Sequence, residues 1–314
     1  MGLLSSGKGE ADCFPVFLRW VALAVASLPI AGFAQVQAVD DANQLVVLAQ
    51  PSRRIVSLAP HVTELLFAIG AGAQVVGADE YSDYPLTAIT IPRIGRAGAL
   101  DLERIVALRP DLVIGWGSGN STAQVEHLRR LGLKVFVSEP RRMEDVASSL
   151  RRLGQLSGQS RQGEAAAVHF ESGIAQLRQR YAARPAVTVF YEIWDRPLMT
   201  VNGQHIISDV LSLCGGENVF ANLAQLAPTV DVEAVIKAQP QAILGGGSDA
   251  TRPRWLDDWR RWPAIPAAGN DNLFNIPPDL IQRHTPRLLE GATLVCKALE
   301  AARSKPKIPT QAGR

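Results

Sequence analysis

Short apolar runs alternate with segments of helical periodicity from about residue 54 onward. Each run is rich in β-branched residues and flanked by a helical segment, which is typical of buried strands. The predicted strands are 54–58, 112–115, 134–137, 187–191 and 242–245. The predicted helices include 63–69, 102–108 and 122–131. Strands and helices that alternate in this way indicate an α/β fold with parallel sheets.

A longer helical segment separates two blocks of this pattern. No proline interrupts residues 143–183, which predict one helix to about Leu156 and a long helix from about Arg161 to Tyr181. A long helix between two α/β blocks is typical of a rigid connector between lobes. An ordinary crossover helix within one sheet is the alternative.

An internal repeat supports two lobes. Residues 101–115 align without gaps on residues 231–245, with identical Asp, Glu, Pro and Gly and conservative exchanges at the apolar positions. This pattern is expected of a capped helix that leads into a buried strand. A weaker similarity joins 63–70 to 208–215 in the same order, so we infer two related lobes. A generic likeness among helix-proline-strand units is the alternative.

The N-terminal residues have a different character. An apolar run from Trp20 to Ala34 follows Arg19, which is typical of a secretory signal peptide cleaved after Ala34 or Ala38. A membrane anchor or a buried helix would have a similar pattern. Cys13 precedes the run, unlike a lipoprotein acceptor cysteine, so a soluble exported protein is predicted. The predicted organisation is signal peptide 1–38, N-terminal lobe 39–141, connector helices 142–185, C-terminal lobe 186–303 and flexible tail 304–314.

Composition and motifs narrow the function. The 314 residues, 47% of them hydrophobic, can form sizeable cores, and a net charge of +2 disfavours nucleic acid or an anionic membrane as the main partner. The chain has no nucleophile elbow, no phosphate-binding loop and no zinc-protease motif. Cys214 and Cys296 would meet an oxidising compartment after export, where they form either a disulfide or two buried thiols.

Glycine-rich segments follow two of the predicted strands, at 115–119 and 245–248. Parallel α/β folds bind ligands at the carboxyl ends of their strands. Because Trp116 lies in the first segment and Trp194 shortly follows a strand of the second block, we expect a cleft with aromatic walls. Such a cleft is a binding site rather than an active site. An exported two-lobed α/β enzyme is the remote alternative.

Several segments resemble the periplasmic cobalamin-binding proteins of ABC importers, within the family that also contains iron-siderophore and haem binders. The segments are RIVSLAPHVTEL at 54–65, YSDYP at 81–85, DLERIVALRPDLV at 101–113, CGGEN at 214–218 and Cys296. The resemblance spans about residues 53–302 and implies two Rossmann-like lobes joined by one long rigid helix. It further implies a periplasmic monomer without a resident cofactor, which captures cobalamin or a related corrinoid for an inner-membrane ABC permease. Haem or a ferric siderophore is the alternative ligand.

The resemblance also implies ligand contacts. Tyr81 matches a tyrosine that contacts the corrin, and Trp116 matches a cleft tryptophan that can stack on the macrocycle. Another tryptophan of the family falls at Ala97, and Trp194 could restore stacking surface. One segment matches a ligand-contacting stretch whose centre is aromatic in the cobalamin binders: Asp279, Leu280, Ile281, Gln282 and Arg283.

Two carboxylates and three histidines complete the candidates. Glu103 and Glu233 lie in the first turns of equivalent helices, where a carboxylate is favoured by the helix dipole; the resemblance matches them to glutamates that dock on permease arginines. It also matches Cys214 and Cys296 to a disulfide pair. His61 is either an axial or hydrogen-bonding ligand contact or a helix cap, and His205 and His284 could border the cleft. No metal site is predicted.

Overall fold

The computed structural model describes residues 1, 2, 7, 9, 35–246 and 252–305. The apolar run of the predicted signal peptide, and nearly all of the predicted tail, lie outside these residues. The strands, in chain order, are β1 Val36–Val39, β2 Leu45–Leu48, β3 Ile55–Ser57, β4 Val75–Ala78, β5 Gly95–Arg96, β6 Ala99–Leu100, β7 Leu112–Trp116, β8 Val135–Ser138, β9 Val187–Glu192, β10 Trp194–Asp195, β11 Leu198–Met199, β12 Gly216–Asn218, β13 Ala242–Gly245 and β14 Leu273–Asn275. The helices are α1 Pro60–Ala68, α2 Leu102–Ala107, α3 Thr122–Arg130, α4 Met143–Ser157, α5 Ser160–Tyr181, α6 Ile206–Leu213, α7 Val232–Ala238, α8 Arg254–Asp257, α9 Pro266–Gly269, α10 Pro278–Ile281 and α11 Leu288–Arg303.

Two four-stranded parallel sheets carry the fold. Their orders are β4-β3-β7-β8 and β12-β9-β13-β14, so each lobe has the same topology. The central strands are buried along almost their whole length, because helices cover both faces of each sheet. The prediction of a two-lobed α/β fold is confirmed.

The internal repeat is also a structural repeat. Asp101 and Asp231 cap α2 and α7, each accepting a hydrogen bond from a backbone N–H in the first turn, at 2.9 and 2.7 Å. Beyond each helix a residue adopts a left-handed conformation before a proline: Arg109 has φ of 46° and Gln239 has φ of 48°. Because a left-handed residue ends a helix, the chain turns in the same way into β7 and β13.

The long connector is helix α5, which runs beside α4. The two helices approach closely at Gly154 and Gly163, where a Cβ on Gly154 would lie 3.2 Å from the Gly163 Cα atom. Arg151 of α4 forms ion pairs with Glu164 and Glu171 of α5, at 2.8 and 2.5 Å. The predicted long helix is therefore present, and close packing and ion pairs join it to α4. Within the described residues, no helix is long and apolar enough to cross a membrane.

A disulfide links Cys214, at the end of α6, to Cys296 of α11. Both cysteines are fully buried, and they stand 82 positions apart in the sequence. A cross-link over a loop of this length stabilises a fold by about 4 kcal/mol in the loop-entropy model. The bridge therefore ties the last helix to the C-terminal lobe, in agreement with the expected pairing.

Candidate ligand-binding site

Four rings from the two lobes meet at the carboxyl ends of the strands. His61 lies in the first turn of α1, after β3, and Trp116 ends β7. From the other lobe, His284 follows α10, and His205 caps α6 by accepting the Ile207 N–H at 3.2 Å. The His284 ring centroid lies 5.5 Å from that of His61, 6.4 Å from that of Trp116 and 5.9 Å from that of His205. We call these four residues the histidine-tryptophan cluster.

The three imidazoles of this cluster are neutral at pH 7. Burial, together with the charge of Arg283, lowers the pKa of His61 to about 3. Burial and the charge of Arg141 lower the pKa of His205 to about 4. Burial, followed by the proximity of the other two histidines, holds the pKa of His284 well below its ordinary value.

Three nitrogens of the histidine-tryptophan cluster have no hydrogen-bond partner within the described part of the chain. They are His61 Nε2, His284 Nδ1 and Trp116 Nε1. His61 and His284 are each only 4% exposed, whereas Trp116 and His205 are half-buried. Among the described residues, no group of three or more His, Cys, Asp or Glu side chains is arranged so that it could hold a metal ion.

An ion network joins the lobes beside these rings. Arg283 contacts Glu64 at 2.8 Å, Asp83 at 2.6 Å and Asp279 at 3.0 Å. Arg287 contacts Glu64 at 3.1 Å, and its guanidinium lies 4.0 Å from the centre of the Tyr84 ring. Glu64, Asp83 and Tyr84 belong to the N-terminal lobe, so the two arginines reach across from the C-terminal lobe. We call Glu64, Asp83, Asp279, Arg283 and Arg287 the arginine network.

The Glu64 carboxylate is the buried centre of the arginine network, with a side chain 3% exposed. Burial raises its pKa, while the hydrogen bond and charge of Arg283 and the charge of Arg287 oppose that rise. Two guanidiniums at bonding distance favour the ionised form of Glu64 against this burial. Partial burial would also raise the pKa of Asp83, but the hydrogen bond and charge of Arg283 outweigh it and lower that pKa.

The other predicted aromatic contacts lie at the surface. Tyr81 is 56% exposed in the loop after β4, where its backbone N–H binds the Asp79 side chain at 2.8 Å. Trp194 is 59% exposed in the β10-β11 hairpin, and its Nε1–H donates to the Arg196 carbonyl at 2.9 Å. Large exposed aromatic side chains leave apolar area for a partner or ligand to cover. Leu280 is half-buried.

The predicted segment 279–283 is divided among different environments. The side chain of Ile281 is fully buried in the core, and its predicted ligand contact stays a prediction. The short helix α10 turns Asp279 outward on the opposite side. The Gln282 amide donates to the Tyr191 hydroxyl at 3.3 Å, and Arg283 joins the arginine network.

Sequence reasoning missed Glu64 and Arg287. Glu64 stands inside the recognised segment 54–65, one turn after His61, and Arg287 lies four residues after Arg283. The first spacing places two side chains on the same side of helix α1, whereas Arg283 and Arg287 lie in the irregular segment between α10 and α11. A buried acidic residue facing two arginines distant in sequence could not be inferred from either spacing alone.

Glu103 and Glu233 lie on the outer surface of the two lobes. Each is exposed in the first turn of its helix, α2 or α7. Among the described residues, neither forms an ion pair within 4.0 Å. A groove of about 700 Å³ adjoins the second of them, lined in part by Phe220, Leu223 and Asp231.

Two parallel-sheet lobes, a long connecting helix and side chains from both lobes converging at the strand ends define a two-lobed ligand-binding protein. A family model described as periplasmic binding protein matches residues 55–280, and the chain belongs to this family.

Named relatives and solved structures agree with this assignment. The vitamin B12-binding protein of Vibrio parahaemolyticus serotype O3:K6 (strain RIMD 2210633) is 35% identical over 266 residues, which cover 84% of this chain and 95% of the relative. The vitamin B12-binding protein of Yersinia pestis (strain Pestoides F) is 34% identical over 256 residues, with 81% and 89% covered.

Among solved structures, the periplasmic vitamin B12 binding protein BtuF of Vibrio cholerae superposes with a TM-score of 0.75 at 33% identity, covering 81% of this chain and 99% of that one. The periplasmic heme-binding protein RhuT from Roseiflexus sp. RS-1 superposes with a TM-score of 0.70 at 25% identity, covering 80% and 99%.

Proposed function

We propose that this protein captures cobalamin or a related corrinoid between its two lobes and delivers it to an ABC importer, without catalysing a reaction. The observation that carries the proposal is the charge balance of the arginine network, in which Arg283 and Arg287 are both paired with carboxylates. The names of the similar vitamin B12-binding proteins support the same ligand class.

The charge balance favours a corrinoid over haem. Arg283 and Arg287 face the carboxylates of Glu64, Asp83 and Asp279. The neighbouring histidines are neutral at pH 7, so they add no positive charge. Haem carries two propionate carboxylates that require positive partners, whereas the periphery of a corrin ring carries uncharged amides. An uncharged periphery therefore suits this site better.

Stacking would supply much of the affinity. Both lobes offer ring surface. The rings are those of Trp116 at the end of β7, Tyr81 after β4 and Trp194 after β9. An aromatic ring covers a flat macrocycle with large apolar area and little loss of side-chain entropy. The proposed ligand-binding residues also include Asp279, Leu280, Gln282 and Arg283. Ile281 packs in the core beneath them.

Haem remains a second candidate because of one observation. His61 presents a buried, neutral imidazole with an unpartnered Nε2 atom, and a neutral imidazole is the form that ligates haem iron. The structural likeness to a heme-binding protein is consistent with this candidate. The pairing of Arg283 and Arg287 with carboxylates leaves neither guanidinium free for the propionates, which argues against it.

Delivery requires export and a membrane partner. We propose that residues 1–38 contain the export signal and that cleavage follows Ala34, because cleavage after Ala38 would remove most of β1, which pairs with β2. The mature chain would then be a periplasmic monomer with lobes 39–141 and 186–303 joined by 142–185. Glu103 and Glu233, at equivalent positions of the repeat, would each meet a permease arginine.

Titration calorimetry of the mature chain tests the ligand. The three probes are cyanocobalamin, haemin and ferrichrome, a ferric siderophore. We expect cyanocobalamin to bind with one molecule per chain and at least 100-fold more tightly than haemin or ferrichrome. Tighter binding of haemin or ferrichrome than of cyanocobalamin would contradict the corrinoid assignment.

A further inference from the structure

The histidine-tryptophan cluster contains several unpaired polar atoms, which form no hydrogen bond with the arginine network. His61 Nε2, His284 Nδ1 and Trp116 Nε1 are all buried and lack a hydrogen-bond partner within the described residues. Buried polar groups in native proteins are almost always paired, because an unpaired group loses its hydration without compensation. Three such atoms in one cluster of rings therefore indicate a place prepared for a polar guest.

The chemistry of the three atoms restricts that guest. The indole Nε1–H of Trp116 can only donate a hydrogen bond. A neutral imidazole has one donor nitrogen and one acceptor nitrogen, so His61 and His284 can offer an acceptor as well. The cap to the Ile207 N–H fixes Nδ1 of His205 as an acceptor and leaves the proton on its Nε2 atom. The cluster thus combines donors and acceptors and carries no net charge.

The cluster lies where the two lobes meet, so it borders a guest placed between them. His61 and Trp116 come from one lobe and His205 and His284 from the other. Trp116 and His205 are half-buried, so the cluster borders solvent on their side. All four residues follow or end elements at the carboxyl ends of the two sheets, where a ligand of this fold class lies.

We propose that the histidine-tryptophan cluster is a subsite for a primary carboxamide on the rim of the bound corrinoid. The inference rests on the proposed function and deepens it. The amide oxygen accepts from the Trp116 indole, and the amide NH₂ donates to an acceptor nitrogen of His61 or His284. A carboxylate in the same position has no proton to donate, and it would bury a negative charge among neutral rings. The cluster therefore selects amidated corrinoids over corrinoid acids.

A ligand pair that differs at one amide tests the subsite. Cyanocobalamin is compared with its b-, d- and e-monocarboxylic acids, each of which carries one hydrolysed amide, by titration calorimetry at pH 7.5. We expect at least one monoacid to bind tenfold or more weakly than cyanocobalamin to the unmodified protein. Equal affinity for cyanocobalamin and all three monoacids would overturn the subsite while leaving the proposed corrinoid function standing.

Variants locate the selectivity within the cluster. Trp116→Phe keeps a stacking ring and removes the donor, and His284→Leu removes an acceptor. We expect each variant to bind cyanocobalamin at least fivefold more weakly. Its affinity for the monoacid that the unmodified protein binds weakly should change less than twofold. The gap, meaning the difference in affinity between the two ligands, therefore narrows. His284→Gln has donor and acceptor atoms that His284→Leu lacks. It should therefore keep part of the difference in affinity between the two ligands. His127→Phe and His169→Phe, at exposed helix positions, are the matched controls and should leave the gap unchanged.

Two outcomes overturn the inference in different ways. Equal loss of affinity for amide and acid ligands in Trp116→Phe and His284→Leu would assign these residues to stacking or packing only. Failure of the unmodified protein to bind cyanocobalamin would reject the proposed function and the subsite with it. Thermal unfolding of each ligand-free variant shows that the measured affinities belong to folded protein.

Discussion

The two lobes share a scaffold but bring different chemistry to the cleft. Helix α2 and strand β7 in one lobe correspond to α7 and β13 in the other, with matching caps and matching left-handed turns. At the strand ends the likeness stops. β7 ends in Trp116, whereas β13 ends at Gly245 and is followed by Gly246.

Close packing explains the missing side chain in the C-terminal lobe. A Cβ on Gly245 would lie 2.7 Å from the Trp255 ring, and one on Gly246 would lie 1.9 Å from the Ile276 carbonyl oxygen. That lobe instead supplies the charged segment 279–287 and two histidines. In a duplicated scaffold the strand ends fix where a ligand lies, while the loops at those ends determine which ligand it is.

The largest expected effect concerns the feature that the lobes share. Replacing Glu103 and Glu233 together by Ala should abolish corrinoid uptake in vesicles carrying the permease, because each lobe would lose its charged contact. Solution affinity for cyanocobalamin should stay within twofold, since both residues lie outside the cleft. Each single variant should retain part of the transport. Charge reversal to Arg should be worse than Ala, because it adds repulsion.

The matched control for docking is the double variant Glu126→Ala with Glu217→Ala, which removes one carboxylate from the surface of each lobe at positions outside the repeat. This control should transport normally. Normal transport by the Glu103/Glu233 double variant would return both glutamates to ordinary first-turn carboxylates.

The next largest effect concerns the disulfide, which is present in the C-terminal lobe only. Replacing Cys214 and Cys296 by Ala should lower the free energy of unfolding by about 2–5 kcal/mol, chiefly through the freedom gained by the unfolded chain. Urea unfolding monitored by circular dichroism measures this difference. Titration of unreduced, denatured protein should find no free thiol in the mature chain; two free thiols would exclude the bridge.

A buried acid in the C-terminal lobe makes the free energy of unfolding depend on pH. Burial raises the pKa of Glu192 to about 8, even though Trp259 Nε1–H donates to it at 2.6 Å. An acid whose folded pKa lies above its unfolded value gives stability that is complete below about pH 4.5 and is lost as pH rises through about 8. We expect the free energy of unfolding to fall by roughly 3 kcal/mol between pH 6 and pH 9 from this group.

The variant Glu192→Gln keeps an acceptor for Trp259 and removes the titration. Its stability should therefore decline less than that of the unmodified protein across the same pH interval. Identical pH profiles for the two proteins, measured by chemical unfolding, would show that Glu192 is not the responsible group.

Stacking is the smallest of the expected effects, and it can be compared between lobes. Tyr81→Ala and Trp194→Ala should each weaken cyanocobalamin binding by about 1–2 kcal/mol, because each removes an exposed ring that the ligand would cover. The Phe variants at both positions should lose less. If only Tyr81→Ala weakens binding in calorimetry, the ligand stacks on the N-terminal lobe alone and Trp194 has another role.

The sequence predicted the fold better than the site, for physical reasons. The central strands and the long helix α5 leave strong apolar and helical patterns, and the repeat of 101–115 in 231–245 is visible without a structure. The edge strand β12 is Gly-Glu-Asn, which has no strand pattern and forms because it pairs with β9. Helix α1 begins at Pro60, before the predicted start at 63, since proline is well placed in a first helical turn.

The contents of the cleft depend on contacts between residues far apart in the chain. Glu64 and Arg283 are separated by 219 positions, so no local pattern could pair them. The family resemblance indicated Arg283 and placed Ile281 beside it as a ligand contact, but the turn of α10 directs Ile281 into the core. The neutral state of the three histidines likewise follows from burial, which is a property of the folded protein.

A crystal structure of the mature chain with cyanocobalamin tests most directly whether both lobes form the ligand site. We expect the corrin ring between the carboxyl ends of the two parallel sheets, in contact with Trp116 from one lobe and with segment 279–283 from the other. We also expect Arg283 to keep at least one carboxylate partner of the arginine network. A corrin bound to one lobe only, or outside the space between the sheets, would contradict the two-lobed site.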